Sequence, residues 1–303
     1  MRFMKHVRVG INQLLLVALF VLVEMPGEKK ITSEKLFLCV LLLLDLYYIV
    51  SYIRKREKRK ALSDLMTIAI LFLGAWEVAV TKCNMMHPVL FPAPENVCAV
   101  FFTQYEIILE NIVASLTLLF GGMTIGLMAG TILGLFCGWV SRLRGIFYPI
   151  ASVLAPIPSM VYAPYIIALM PTFRSASMLI VVLGIFWPCF LNMILRVEAF
   201  DKKLLDVTKV MKLNHRTMIF SILLPYALPG IISGLRVTLT TAVTMLTFAE
   251  MMGATRGMGY YIVNYNTFGN YTNVVAGIIV TGVVVIILNK LVEFIQKKCI
   301  RWT

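Results

Sequence analysis

Ser233, Arg236, Thr240, Thr244 and Thr247 recur at spacings of three and four inside an otherwise apolar stretch, so a helix carries them as one polar stripe. Hydroxyls in such a stripe either bond back to their own helix or face a polar passage, and both uses stay open. A guanidinium has fewer options. Arg236 lies about 11 residues beyond Pro225 in this stretch, where a cation is costly unless it faces protein or water or reaches the interface, so a place beside a translocation path follows. Glu250 closes the same stretch in AEMMGATRGMGY, with no His or second carboxylate near it. It reads as a structural acceptor or as a group at the outer mouth of the path. Asp45 and Glu77, the acids of earlier apolar runs, have no cationic partner legible in the sequence and do not form a proton relay. No Cys/His cluster has ligand spacing and no nucleophile sits beside a base, so no metal, no cofactor and no enzymatic activity are expected.

The elements that position these residues are set by composition. Of 303 residues, 60% are hydrophobic and 14% charged, against about 45–50% apolar and about 25% charged in an ordinary soluble domain. Mean hydropathy is +0.87, which one span of about 20 residues does not produce in a chain this long. A disordered chain is excluded and a soluble enzyme disfavoured. Nearly uncharged runs at 11–23, 36–53, 65–80, 111–140, 146–170, 178–195, 226–249 and 274–288 predict eight spans of a polytopic membrane protein. Lipid offers the backbone no hydrogen-bond partners, so the spans are helices and the fold class is all-α. The first run follows Arg2, Lys5 and Arg8 and has the length of a signal-peptide core, but EMPGEKK offers no small-x-small cleavage site. It reads as a retained helix or a re-entrant segment.

Placing both termini in the cytoplasm puts most of the 28 Lys and Arg on that side, including the run RKREKRK. The asymmetry supports that orientation, and apposition to an anionic inner leaflet accounts for the net charge of +13 with membrane lipid as partner and no nucleic acid. Gly122, Gly126, Gly130, Gly134 and Gly138 fall every fourth residue in the fourth run and predict a helix face for close packing. Pro149, Pro156, Pro158, Pro164 and Pro171 predict a broken rather than a straight helix in the fifth. Cys83 and Cys98 share the outer loop, where a disulfide between them is open.

Between the sixth and seventh runs, RVEAFDKKLLDVTKVMKLNHRTMIFSILLP alternates apolar and charged positions at helical spacing and breaks at Leu213-Asn214. It reads as two short amphipathic helices at about 199–221 lying on the cytoplasmic surface. In this loop Asp206-Val207-Thr208, then Lys212, nine residues, and Ile222-Leu223-Leu224-Pro225 keep the spacing of a known signature: E-A-A, three residues, G, nine residues, I-x-L-P. FPAPENV, LAPIPSMVYAP, ALPGIISGLR and AEMMGATRGMGY add to it. From about Pro92 to Trp302 the sequence resembles the permease subunits of bacterial ATP-binding-cassette importers, in their nitrate/sulfonate/taurine-type branch.

The resemblance implies an importer-type transmembrane domain at 63–303, following an extension at 1–62 with two further hydrophobic helices and a basic cytoplasmic segment. It implies that Asp206, Thr208, Lys209, Lys212, Leu213 and Asn214, with Leu224 and Pro225 behind them, dock on a cytoplasmic ATPase dimer. It also implies a second permease subunit, identical to the first, an external substrate-binding protein or lipoprotein, and a place in the bacterial cytoplasmic membrane. Lys212 stands where the family has glycine, so the turn passes to Asn214, which tolerates a left-handed backbone better. No G-x-x-x-x-G-K-[ST] occurs, so ATP is hydrolysed on another polypeptide. The cargo is a small solute, a sulfonate, taurine, nitrate or bicarbonate; the alternatives are a vitamin precursor of thiamine-pyrimidine or riboflavin type, or an ion-gradient-driven carrier. Against that carrier, none of the three His lies within a run.

Overall fold

Every apolar run of the sequence is helical in the computed structural model, which describes residues 2–27, 29, 31, 34–54, 59–87, 89–201, 208, 211 and 213–299. Among them there is no strand. The helices are α1 (Arg2–Glu24), α2 (Glu34–Arg54), α3 (Arg59–Trp76), α4 (Pro94–Thr103), α5 (Tyr105–Trp139), α6 (Ser141–Leu154), α7 (Ala163–Leu169), α8 (Phe173–Glu198), α9 (Leu224–Met251), α10 (Met258–Thr267) and α11 (Tyr271–Cys299). Six stretches are long and apolar enough to span a bilayer: Glu34–Arg54, Arg59–Lys82, Tyr105–Trp139, Phe173–Glu198, His215–Met251 and Tyr271–Cys299. The proline-rich fifth run is broken, Ser141–Leu154 meeting Ser159–Leu169 at 83°. Eight spans were expected; the described residues provide six and one bent pair, because the apolar part of α1, Val9–Glu24, is short for a crossing.

The chain forms two units, residues 1–108 with 262–279 and residues 109–261 with 280–303. In the first, α1, α2 and α3 pack around Leu16, Leu19, Phe37, Leu41 and Ile70. Polar groups stitch them together: Asn12 Nδ2 donates to the Ser63 carbonyl at 3.0 Å, Thr67 donates to Asn12 Oδ1 at 2.6 Å, and the Tyr48 and Ser63 hydroxyls lie 3.0 Å apart. Such bonds hold helices together where lipid removes the hydrophobic drive. Gln13 donates to Asp45 at 2.7 Å.

Glu77 does have a cation, contrary to expectation. The segment Glu77–Lys82 is a π-helix, whose wider turn places residue i+5 beside i, and Lys82 Nζ lies 3.2 Å from Glu77 Oε1. The Thr81 hydroxyl sits between two fully buried acids, 3.2 Å from Glu77 and 3.3 Å from Glu95 on α4. Burial, with the Glu77 carboxylate adding to it, pushes Glu95 up to about 7. Cys83 and Cys98 are both free, correcting the possible disulfide: Cys83 is exposed and Cys98 is buried in α4.

In the second unit the glycines do what their spacing predicts. A Cβ on Gly122, Gly126, Gly130, Gly134 or Gly138 would run into Val181, Ile185, Cys189, Met193 and Val197 of α8 in turn. Both series advance together, so α5 and α8 run parallel with backbone against side-chain base. Interior glycines cost about 1 kcal/mol each in helix propensity, and this contact is what offsets that cost. On its other sides α8 packs against α6, α7 and α9.

Candidate functional site

The polar stripe predicted around Arg236 lies on α9, which continues the helical stretch that starts at His215 and carries Pro225 near its junction with the π-helical segment. Ser233, Arg236, Thr240 and Thr244 are exposed, Thr247 is half-buried and Glu250 is buried. The hydroxyls follow the plainer of the two uses. Ser233 donates to the Gly230 carbonyl, Thr240 to Arg236, Thr244 to Thr240 and Thr247 to Val243, at 2.9–3.0 Å. Their protons are spent on the helix, while their oxygens still present lone pairs outward. From α11, Gln296 Nε2 donates to the Ile232 carbonyl at 2.8 Å, pinning α9 beside the stripe.

Glu250 is separated from the stripe by its role. Oε1 accepts from Ser115 of α5 at 2.6 Å and Oε2 from the Gly259 amide at 2.8 Å. Ser115 accepts from the Met258 amide at 2.9 Å and Asn111, four residues earlier, from the Gly257 amide at 2.8 Å. Three backbone amides at the start of α10 are thus capped by side chains from α5 and α9. Gly257 has φ +125°, and a Cβ there would overlap the Glu250 carboxylate, so only glycine lets the chain pass this close. The signal for this clamp was the pairing of Glu250 with Gly257 and Gly259; its partners Asn111 and Ser115 carry none in isolation.

Of the predicted docking segment, Asp206, Lys209 and Lys212 lie outside the described residues. Thr208 is buried, and its carbonyl accepts from the Leu213 amide at 3.5 Å. Asn214 does not take the left-handed turn expected of it. At φ −74° and ψ 157° it is extended and caps the next helix, its side chain accepting from the Arg216 and Thr217 amides. A capping oxygen satisfies amides that no earlier carbonyl reaches. The π-helix Met218–Leu223 follows, its last bond running from the Leu224 amide to the Ile219 carbonyl. Met218, Ile219 and Leu223 are buried with Leu135, Met193 and Val197, while Pro225 is exposed. Trp139 at the end of α5 donates to His215 Nδ1 at 2.9 Å. The segment is therefore anchored to α5 and α8 by its second half. Sequence reasoning missed Asn192 and Arg196, assigning the latter to the cytoplasmic loop; both belong to α8 and face α9 across a cavity.

Long apolar helices, one broken pair and a polar stripe in a spanning helix define a multi-pass membrane protein. Residues 108–302 match the family described as binding-protein-dependent transport system inner membrane component, and the chain belongs to that family. It is 26% identical over 258 residues to a putative aliphatic sulfonates transport permease of Bacillus subtilis, covering 82% of this chain and 92% of that one. It is 24% identical over 251 residues to a taurine transport system permease of Escherichia coli, covering 80% and 90%. A nitrate import permease of Leptolyngbya laminosa is 27% identical over 190 residues, 63% of this chain and 68% of that one. The fold is similar to a chain of the inward-facing MetNI methionine ABC transporter, with TM-score 0.51 and 20% identity over 67% of this chain and 97% of that chain. The protein is an importer permease of the sulfonate/taurine/nitrate branch, a transport subunit and not an enzyme. Membership implies an ATPase and a binding protein as its partners.

Proposed function

We propose that this chain forms, with a second identical copy, the path for a small organic or inorganic anion such as a sulfonate, taurine or nitrate. The observation that carries the reading is the exposed stripe Ser233, Arg236, Thr240 and Thr244 on a spanning helix. Polar and cationic groups at membrane depth do not face lipid, so that side of α9 meets water or a second subunit. Relatives whose names specify sulfonates, taurine and nitrate support an anionic cargo. Both termini are cytoplasmic, residues 1–62 are an extension preceding a transport core at 63–303, and the segment around Asp206 to Asn214 docks on the ATPase dimer in the bacterial cytoplasmic membrane. The α5–Trp139–His215 contact gives that docked segment a rigid link to the helices, so ATP-driven movement there shifts α5 and α8 as packed bodies.

The test reverses two charges at once, Asp206→Lys with Lys209→Glu, in the complete importer. Hydrolysis continues while uptake of labelled taurine, nitrate or an alkanesulfonate falls by at least about tenfold, equivalent to about 1.4 kcal/mol of coupling. Full uptake in the double variant refutes the docking role.

A further inference from the structure

Between α8 and α9 lies a cavity of about 310 Å³ that the stripe does not line. Asn192 and Arg196 reach it from α8, and Gly230, Gly234, Thr238 and Thr241 from α9. Its room comes from absent side chains. At Gly230 any Cβ would overlap the Arg196 guanidinium, and around Gly234 a Cβ would meet nothing within 4 Å. Pro188, also in the wall, has no amide to give the Gly184 carbonyl one turn earlier, which leaves that acceptor free of its usual helical bond.

Arg196 is half-buried over the Gly230 backbone, and among the described residues its guanidinium has neither an ion pair nor a hydrogen-bond acceptor. A guanidinium offers five donors in a planar fork that matches an oxyanion. One that is half withdrawn from water with none of them used is paired from outside the chain or bears the desolvation cost alone. We propose that this cavity is a binding site for a small oxyanion, a sulfonate or a phosphate-type headgroup, held by Arg196 with Asn192 beside it. As a station for cargo it rests on the reading of the chain as an anion path; as an oxyanion site it does not.

The test reads the cavity directly. Val237, 72% exposed and also in the wall, is changed to Cys in the whole permease–ATPase complex reconstituted in phosphatidylcholine vesicles. Alkylation by a neutral maleimide is followed at that position by peptide mass spectrometry, with Thr241→Cys as a second reporter should the first not assemble. Ethanesulfonate at about four times its Kd slows labelling about fivefold; matched chloride and dimethyl sulfone, which is neutral, do not. Arg196→Gln abolishes the slowing and Arg196→Lys keeps part of it. If phosphatidylglycerol added to the vesicles slows labelling by itself, and Arg196→Gln reverses that, the site stands with lipid as its occupant. Slowing by dimethyl sulfone, slowing that survives Arg196→Gln, or no slowing in any arm overturns the proposal. Labelling does not depend on uptake, so protection without transport sustains this site and counts against the anion path.

Discussion

Gly134→Ala adds one methyl group at the tightest point between α5 and α8. A Cβ at 134 stands 2.7 Å from the Phe190 carbonyl oxygen and 2.7 Å from Met193 Cβ, with Phe190 Cα at 3.1 Å. Ordinary contact starts at 3.4 Å, so the two helices must part by about 0.7 Å to admit it. Two of the three obstructing atoms are backbone and the third is a Cβ, so no rotamer change relieves the overlap. Overpacking of this kind costs about 1–3 kcal/mol, and Ala in place of Gly returns up to about 1 kcal/mol of helix propensity. The net expectation is a loss of about 0–2 kcal/mol. Gly145→Ala and Gly282→Ala supply the control, because both are helical glycines with nothing within 4 Å. They should gain up to about 1 kcal/mol. Thermal unfolding of the detergent-purified protein separates the two cases; a Gly134→Ala variant as stable as Gly145→Ala would show that the glycine face is not a close backbone contact.

Glu250→Gln keeps the shape of the clamp but leaves one carbonyl oxygen to serve both Ser115 and the Gly259 amide. A loss of about 1–3 kcal/mol is expected in the same unfolding assay, and unchanged stability rejects the clamp. Glu95 has its folded pKa raised to about 7 from an ordinary 4.5, chiefly by burial. The protonated form is the one the fold favours, so its contribution is complete below pH 4.5 and is lost as pH rises towards 7. Glu95→Gln should flatten the stability profile across that window, and an unaltered slope contradicts the assignment. Arg236→Ala should cut uptake of an anionic cargo by about tenfold or more and that of a neutral one far less; equal losses for both remove Arg236 from the anion path.

How much was legible in advance differs by residue. The glycine face could be read because a period of four needs no knowledge of the partner helix, only that some helix must come close. The break in the fifth run was equally local, since Pro156 and Pro158 stand close together between its two halves and each removes a backbone bond. Lys82 as partner to Glu77 was not legible, because the pairing depends on a π-helical turn rather than an α-helical one. Nor was the placing of Asn214 as a cap, since Asn suits both a left-handed turn and an N-cap, and only the start of the helix at His215 decides between them.

Composition and periodicity by themselves determined that this is a helical membrane protein with a polar stripe in one span, because lipid imposes the same demands on every segment one at a time. The resemblance to a transporter family was carried by the spacing of the cytoplasmic loop together with four short motifs spread from FPAPENV to AEMMGATRGMGY. Only the tertiary structure decided which polar groups satisfy one another: that Glu250 is bound to Ser115 and Gly259, and that Arg196, placed in a loop by its sequence, lies over Gly230 with no acceptor among the described residues. A hydrogen bond or a vacant donor depends on what stands across the gap, and residues more than a hundred positions apart meet only once the helices have packed.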